Sequence, residues 1–210
     1  IRNPLVSIKT FAHLLPARFE DPEFRRRFKV LIPAEVDRIE NLTQQLLDIS
    51  NPRRHQMENI SLHAVARETV ELMLTRANEA GVNLVSTLNA AADTIWADAS
   101  AVRQVIINLL INAFQALELQ ETDRRVELKT RNSPNGSVIL EVSDNGPGIP
   151  PDQRGKLFHP FESTKTKGMG LGLAVCADIL HEHKAAIIVP DIGRPGATFR
   201  ITFPCPPPLS

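Results

Sequence analysis

The sequence lacks the features that would assign it to a membrane-spanning, nucleic-acid-binding or disulfide-rich class. No apolar run approaches the roughly 18 residues of a membrane-spanning helix, and no signal peptide is visible. Lys plus Arg equals Asp plus Glu at 24 each, so no net positive charge favours nucleic acid or an anionic membrane as a partner. Cys176 and Cys205 lack metal-ligand spacing and indicate a reducing compartment. We therefore expect a cytoplasmic segment without nucleic-acid or membrane contacts.

Two well-known nucleotide-binding signatures are also missing. The chain contains no Gly-x4-Gly-Lys-Ser/Thr P-loop, and its glycine cluster at 168–172 does not directly follow a strand, as a Rossmann fingerprint would. The segment 171–181 nevertheless has the apolar spacing of a helix. Glycines at a helix N-terminus expose backbone N–H groups that suit phosphate, so this cluster is a candidate phosphate site.

The most informative stretch is Asp-Asn-Gly-Pro-Gly-Ile, which begins at Asp144 and places one carboxylate before a glycine-rich loop. The residues 136–143 predict a strand, and its two-residue period puts Val138, Leu140 and Val142 on the face of Asp144. Burying a carboxylate costs on the order of several kcal/mol unless it is paired, so Asp144 needs a partner in the protein or a ligand. A turn or helix cap is the alternative role.

Upstream, the residues 98–117 predict a capped helix that is apolar on almost every side, which is typical of a core helix. The polar side chains of its middle turns form one stripe at helical spacing, made of Gln104, Asn108, Asn112 and Gln115. Buried amides need partners, and neighbouring backbone could supply them. Two asparagines one turn apart fit a second interpretation better, in which an asparagine oxygen helps to hold Mg²⁺, a cation that also bridges substrate phosphates.

The remaining segments predict further helices and strands. Helical spacing covers 60–80, and strand patterns cover 82–88, 125–131 and 196–203, with a turn at Asn135-Gly136. His181 and His183 lie two residues apart, do not face the same way on a helix, and are expected to be exposed rather than metal ligands.

The order of these motifs resembles that of sensor histidine kinases. Four family motifs recur in the family's order and spacing: the N box at 108–112, the G1 box at 144–148, the F box at 158–161 and the G2 box at 168–172. The segment 193–198 resembles a further glycine motif of that domain. The resemblance implies a Bergerat-type ATP site of the gyrase, Hsp90, kinase and MutL superfamily, in an α/β sandwich.

The resemblance also implies residue roles. Asp144 would accept from the adenine amino group, Asn112 would bind Mg²⁺, and the 168–172 amides with Lys165 would contact phosphate. Asn108 would belong to the catalytic as well as the ATP-binding set. The implied ATP-binding residues are Asn108, Asn112, Asp144, Gly146, Gly148, Phe161, Lys165, Gly168, Gly170, Leu171, Gly172 and Thr198.

The first fifty residues resemble the dimerisation and phosphotransfer part of the same family. The opening run, 1–8, is similar to the H box, in which His-Glu precedes these residues and His accepts the phosphoryl group. Asn3 matches a position implicated in removing phosphate from the partner. The apolar residues at 5, 8, 12 and 15, and at 32, 36, 39, 42, 46 and 49, indicate two amphipathic helices. Because two such helices cannot close a core, we expect a homodimeric four-helix bundle.

These observations predict an α+β chain with three parts. Residues 1–52 form an antiparallel helical hairpin for dimerisation and phosphotransfer, without the acceptor histidine. Residues 58–204 form the ATP-binding domain, and 205–210 a flexible tail.

The predicted function is that of a two-component histidine kinase core. ATP and Mg²⁺ bind, and the γ-phosphoryl group passes to a histidine and then to an aspartate of a response regulator. Residues 1–210 are expected to bind ATP without phosphorylating themselves, and to be cytoplasmic or the cytoplasmic part of a membrane-anchored sensor. One alternative is an ATPase of the gyrase and MutL kind, although Asn108 stands where those enzymes carry a glutamate base. The other is a nucleotide-gated dimerisation module without kinase activity.

Overall fold

The computed structural model divides the chain into two compact units, residues 1–53 and 54–210, and each is described by itself. The residues that the structure describes are 2–50, 55–159, 172–191, 193 and 195–206.

The first unit is a hairpin of two helices, α1 (Arg2–Arg18) and α2 (Pro22–Ser50). The side chain of Asp21 begins α2, since its Oδ1 accepts from the backbone N–H of Glu23 at 2.9 Å and of Phe24 at 3.3 Å. A carboxylate cap ahead of a proline at the first helical position is a common start of a helix.

The hairpin buries little by itself. Phe11, Phe24 and Phe28 form an aromatic cluster near the turn, with ring centroids 5.6 to 6.3 Å apart. Among the hairpin side chains that the structure describes, only Phe24 is buried, while Leu5 and Val36 are 51% and 40% exposed. The apolar stripes of both helices therefore remain partly uncovered within one chain.

The second unit is an α/β sandwich. Its helices are α3 (Leu62–Glu79), α4 (Ala99–Ala116), α5 (Pro151–Arg154) and α6 (Gly172–Glu182). Its strands are β1 (Glu58–Ser61), β2 (Asn83–Leu88), β3 (Thr94–Ala97), β4 (Arg125–Asn132), β5 (Val138–Asp144), β6 (Ala186–Ile188) and β7 (Thr198–Phe203). A five-stranded sheet has the order β2-β4-β5-β7-β6, in which only β2 and β4 run parallel, and β1 pairs antiparallel with β3.

The core lies between one sheet face and the helices α3, α4 and α6. Leu140 on β5 and Ile201 on β7 pair in register and are fully buried. The other face is polar, since Glu141 on β5 accepts from Arg200 at 2.5 Å and lies 3.5 Å from Arg131. Because side chains alternate along the strands, the apolar ones face the helices and the polar ones face solvent, as expected for a mainly antiparallel sheet.

Most predicted elements are present, and the structure adds the short elements β1, β3, α5 and β6 to them. The helix predicted from residue 60 starts at Leu62, because 58–61 form β1 and the Ser61 hydroxyl caps the helix by accepting from Ala64 N at 3.1 Å. The strands β3 and β6 were not predicted, since each is only three or four residues long.

Among the described residues, no helix is both long and apolar enough to span a membrane.

Candidate nucleotide site

Asp144 ends the middle strand of the five-stranded sheet and is 6% exposed. Its Oδ1 accepts from the backbone N–H of Gly146 at 2.9 Å and of Ala197 at 3.2 Å. Its own backbone N–H donates to the Ala197 carbonyl at 2.9 Å. The carboxylate is therefore oriented by the glycine loop on one side and by the chain leading into β7 on the other.

Two glycines allow the loops around Asp144 to approach this closely. A Cβ at Gly196 would overlap the Asp144 carbonyl, and the φ of +100° at Gly196 is one that side chains rarely adopt. A Cβ at Gly148, where φ is +79°, would lie 2.9 Å from the Gly196 carbonyl. The glycines of the G1 box and of the 193–198 motif thus pack against one another, which the two separate patterns in the sequence did not reveal.

Helix α4 connects the parts of the site. Asn108 Nδ2 donates to the Gly172 carbonyl at 3.3 Å, so the helix meets the start of α6 at this turn. Two turns later, the Ala116 carbonyl would lie 3.3 Å from a Cβ at Gly146, so the helix also meets the loop after Asp144. These contacts are about 12 Å apart along the helix axis, at about 1.5 Å per residue. Asn112 is half-buried between them.

The start of α4 is fixed by Asp98. Its carboxylate accepts from the Ser100 hydroxyl at 2.6 Å, from Ser100 N at 2.8 Å and from Ala101 N at 3.1 Å. The backbone N–H of Gln56 donates to the same carboxylate at 2.8 Å, so the first residues of this unit are tied to the helix. Burial alone raises the pKa of Asp98, but the hydrogen bonds from Ser100, Gln56 and Ala101 outweigh it and lower the pKa to about 2.

His183 is buried, at 2% exposure, which corrects the sequence-based expectation that it is exposed. Its Nε2 lies 3.0 Å from the Asp98 backbone N–H, and its Nδ1 lies 2.7 Å from the Ile179 carbonyl. A ring nitrogen that faces an N–H accepts, so the neutral tautomer with a proton on Nδ1 satisfies both contacts. Burial lowers the pKa of His183, which favours this neutral form. The residue is a structural link between the end of α6 and the start of α4.

Cys176 is fully buried beside Asn108, with its Sγ 3.7 Å from Asn108 Nδ2. Burial raises the pKa of this thiol to about 12, in spite of the hydrogen bond from Asn108. A thiol that stays protonated at neutral pH is a poor nucleophile, so Cys176 packs against the site rather than reacting in it.

The structure does not bring Thr198 to the side chain of Asp144. Thr198 pairs in register with Ser143, and their hydroxyl oxygens lie 2.8 Å apart. Since neighbouring side chains alternate across a strand, Ser143 and Thr198 lie on the sheet face opposite Asp144. Within the described part of this motif, the backbone N–H of Ala197 donates to the carboxylate.

Several predicted residues lie outside what the structure describes. They are the side chain of Asn3 and the residues Phe161, Lys165, Gly168, Gly170 and Leu171. Gly172, the last glycine of the G2 box, is described and begins α6.

The oxygen ligands that the described residues offer suit a metal ion that binds together with a substrate. Within these ranges, no group of three or more His, Cys, Asp or Glu side chains could hold a metal ion. Asn112 offers a single amide oxygen at mid-helix. Mg²⁺ typically uses few protein ligands and completes its shell with water and substrate phosphates, so this donor set fits magnesium carried by a nucleotide.

Comparison with known proteins identifies the family. Residues 97–207 match the family described as histidine kinase-, DNA gyrase B- and HSP90-like ATPase. The chain belongs to this ATPase family. Residues 1–54 match the His Kinase A (phospho-acceptor) domain. An ATPase-family domain that follows a phospho-acceptor domain is a sensor histidine kinase core, which confirms the resemblance seen in the sequence.

The kinase core resembles named sensor kinases along most of its length. The signal transduction histidine-protein kinase AtoS of Escherichia coli (strain K12) is 34% identical over 207 residues, which cover 99% of this chain and 33% of AtoS. Sensor histidine kinase ZraS of Salmonella typhimurium is 34% identical over 208 residues, which cover 97% of this chain and 43% of ZraS. The kinase core thus spans less than half the length of these relatives.

Solved kinase structures share the fold. The crystal structure of histidine kinase ThkA in complex with response regulator protein TrrA matches with a TM-score of 0.80 and 25% identity, over 97% of this chain and 58% of that one. Full-length ShkA in complex with AMPPNP matches with a TM-score of 0.72 and 27% identity, over 89% of this chain and 40% of that one. The predicted α+β fold class is confirmed.

Proposed function

We propose that the second unit of this kinase core binds ATP and that Asp144 accepts a hydrogen bond from the adenine amino group. The supporting observation is the fixed carboxylate at the end of β5, held by Gly146 N and Ala197 N beside a glycine loop. Each carboxylate oxygen has two acceptor positions, so a carboxylate held by backbone N–H groups can still receive an exocyclic amine. In ShkA, a solved relative, the bound molecule is AMPPNP.

In this proposal the phosphates lie near Asn108, where α4 contacts the start of α6, and not near Ala116, where α4 contacts the loop after Asp144. The bridge from Asn108 to the Gly172 carbonyl marks where the 168–172 glycines become helix α6, and helix N-termini favour phosphate. Asn112 lies between this bridge and the Asp144 loop, and we assign it the magnesium contact. Lys165 and the 168–172 amides would complete the phosphate site. Gly146, Gly148 and Phe161 would line the nucleotide. Thr198 would hold β7 to β5 through its contact with Ser143 and would not touch the nucleotide.

The bound nucleotide would serve phosphoryl transfer to a histidine. Asn108 donates through its amide to a carbonyl and cannot take a proton from water, which disfavours the alternative of a gyrase-type ATPase. The acceptor histidine would stand two residues before Ile1, next to a glutamate, and Asn3 one turn later would serve dephosphorylation of a response regulator. The phosphorylated histidine would then pass its phosphoryl group to an aspartate of that regulator. ThkA, a solved relative, is in complex with a response regulator.

The first unit would dimerise through its uncovered apolar stripes. Leu5 and Val36 are exposed in one chain, and a second hairpin would cover them in a four-helix bundle. The matched His Kinase A domain supports this assignment.

Calorimetric titration with ATP tests the assignment of Asp144. Asp144→Ala should weaken binding about ten- to a hundredfold, because losing a hydrogen bond to a charged acceptor costs roughly 1.5–3 kcal/mol. Ser143→Ala is the matched control, since its hydroxyl faces Thr198 on the opposite sheet face and its loss should leave ATP affinity nearly unchanged. Unchanged affinity in Asp144→Ala would overturn the adenine assignment.

The same titrations test the magnesium contact. Asn112→Ala should lose affinity chiefly in the magnesium-dependent part of binding. Equal ATP affinity of the parent chain with and without Mg²⁺ would remove this role from Asn112.

A further inference from the structure

The carboxamide of Asn108 is held from both ends. On one side, Nδ2 donates to the Gly172 carbonyl at 3.3 Å and approaches Cys176 Sγ at 3.7 Å. On the other side, Oδ1 accepts from Gln104 Nε2 at 3.4 Å, one helical turn earlier on α4. All four residues belong to the second unit, and both amides are half-buried.

The backbone carbonyl of Gly172 fixes the direction of this chain of hydrogen bonds. A carbonyl oxygen can only accept, so the amide nitrogen of Asn108, and not its oxygen, faces Gly172. The Asn108 oxygen then faces Gln104, which must present its own amide nitrogen. Rotating the Asn108 amide by half a turn would oppose two oxygens at Gly172 and two nitrogens at Gln104. The hydrogen bond from Gln104 therefore stabilises the Asn108 orientation that the Gly172 carbonyl requires.

We propose that Gln104 is a positioning residue for the nucleotide site: it orients the Asn108 carboxamide so that α4 stays bridged to the first residue of α6. Since α6 begins where the 168–172 glycines end, the bridge fixes the helical end of the proposed phosphate segment. The inference rests on the proposed ATP-binding function. The neutral thiol of Cys176 supports the same orientation as a weak second acceptor on the nitrogen side.

Two substitutions at position 104 separate the hydrogen bond from the size of the side chain. Gln104→Met keeps a long unbranched side chain with good helix propensity but cannot donate. Its ATP affinity should fall about two- to tenfold, the range expected for one ordinary hydrogen bond. Gln104→Glu has the shape of glutamine, but its ionised form only accepts and would face the Asn108 oxygen.

The glutamate variant gives a pH profile that a purely structural role would not produce. At pH 7 its affinity relative to the parent should be at least as low as that of Gln104→Met. As the pH falls towards about 4, near the ordinary pKa of a glutamate, a protonated carboxyl can donate to Asn108 Oδ1, and the ratio of variant to parent affinity should recover. The Gln104→Met ratio should stay flat over the same pH range. A Gln104→Glu ratio that is equally flat would overturn the inference.

A double-mutant cycle with Asn108→Ala decides whether Gln104 acts through Asn108. In the Asn108→Ala background, Gln104→Met should change ATP affinity less than twofold, because the group that it orients is gone. The urea midpoint of the nucleotide-free chain, read from Trp96, should show the same loss of effect. Equal losses in both backgrounds would mean that Gln104 acts by packing alone, and would overturn the inference.

The two readouts separate this inference from the proposed function. A parent chain that binds no ATP overturns the proposed function, and the nucleotide-free unfolding cycle then still decides whether Gln104 orients Asn108. A parent chain that binds ATP, with additive effects of the two substitutions in both readouts, overturns this inference and leaves the proposed function standing.

Discussion

Neutralising Asp98 should destabilise the second unit at neutral pH but hardly at all in acid. The side chain is 14% exposed and caps α4, the helix that carries Asn108 and Asn112. Its pKa falls from 3.8 to about 2 in the folded state, because the hydrogen bonds from Ser100, Gln56 and Ala101 exceed the opposing effect of burial. Asp98→Asn keeps the size and an amide oxygen but removes the charge.

The magnitude follows from linkage between protonation and folding. Each unit of difference between the folded and unfolded pKa is worth about 1.4 kcal/mol. The ionised carboxylate therefore contributes about 2 kcal/mol to the free energy of unfolding. A lowered folded pKa means that this stabilisation is complete above the unfolded pKa near 4. It is lost as the pH falls through the folded pKa near 2. Asp98→Asn should therefore cost about 2 kcal/mol at pH 7, and the difference from the parent should shrink below pH 4.

Urea unfolding followed by Trp96 fluorescence measures this difference. Trp96 is the single tryptophan of the chain and lies on β3, two residues before Asp98, so its signal reports on the second unit. Asp178→Asn, at an exposed acid on α6, is the matched control and should change stability by less than about 0.5 kcal/mol. Equal stability of Asp98→Asn and the parent at pH 7 would show that the charge on Asp98 does not stabilise the second unit. So would a deficit that is as large at pH 3 as at pH 7.

Three further outcomes are expected. Lys184→Gly should stabilise the second unit by up to about 1 kcal/mol in the same urea assay, because Lys184, two residues after the end of α6, has a φ of +53°; a loss of stability would contradict this. Val36→Glu should give a monomer by light scattering where the parent is a dimer, while Lys29→Glu, at an exposed polar site, should not; a monomeric parent at high concentration would refute the bundle. Adding His-Glu before Ile1 within a longer helix should produce acid-labile, base-stable phosphate from ATP, and labelling of the unextended chain at His13 would show the H-box interpretation to be wrong.

The sequence predicted the element that carries Asp144 because its signals are local. Alternation of apolar residues from Val138 onwards gives the strand and its buried face, and the turn at Asn135-Gly136 fixes the start of the hairpin. The helix around Asn108 was predicted for the same reason, since its cap and apolar spacing lie within twenty residues. Periodicity and capping are properties of short segments, which one sequence displays in full.

The position of Thr198 was harder to predict because it depends on a register between distant strands. A shift of one residue moves a side chain to the other sheet face. The glycine motif indicates a close approach near 196, but only the pairing of Ser143 with Thr198 shows that Ala197 takes the position beside Asp144. Nothing in a segment of six residues distinguishes these two registers.

The prediction that His183 is exposed was wrong for a related reason. Its spacing from His181 on the helix shows only that the two side chains diverge. Burial of His183 results from the approach of the Asp98 backbone, which lies 85 residues away in sequence. A contact between two helix ends leaves no periodic signal in either helix.

Residues at different positions along α4 should affect different properties, namely the stability of the second unit and its affinity for ATP. Asp98 at its start lies about 15 Å along the axis from Asn108, farther than the roughly 7–10 Å beyond which substitutions usually act independently. Gln104 and Asn108 are in direct contact, so their effects should be coupled. Asp98→Asn should thus lower the free energy of unfolding without changing the affinity of the folded chain for ATP, whereas Gln104→Met should change that affinity. If Asp98→Asn weakened ATP binding as much as Gln104→Met, α4 would act as one unit, and the carboxamide of Asn108 could not be treated as a separately oriented group.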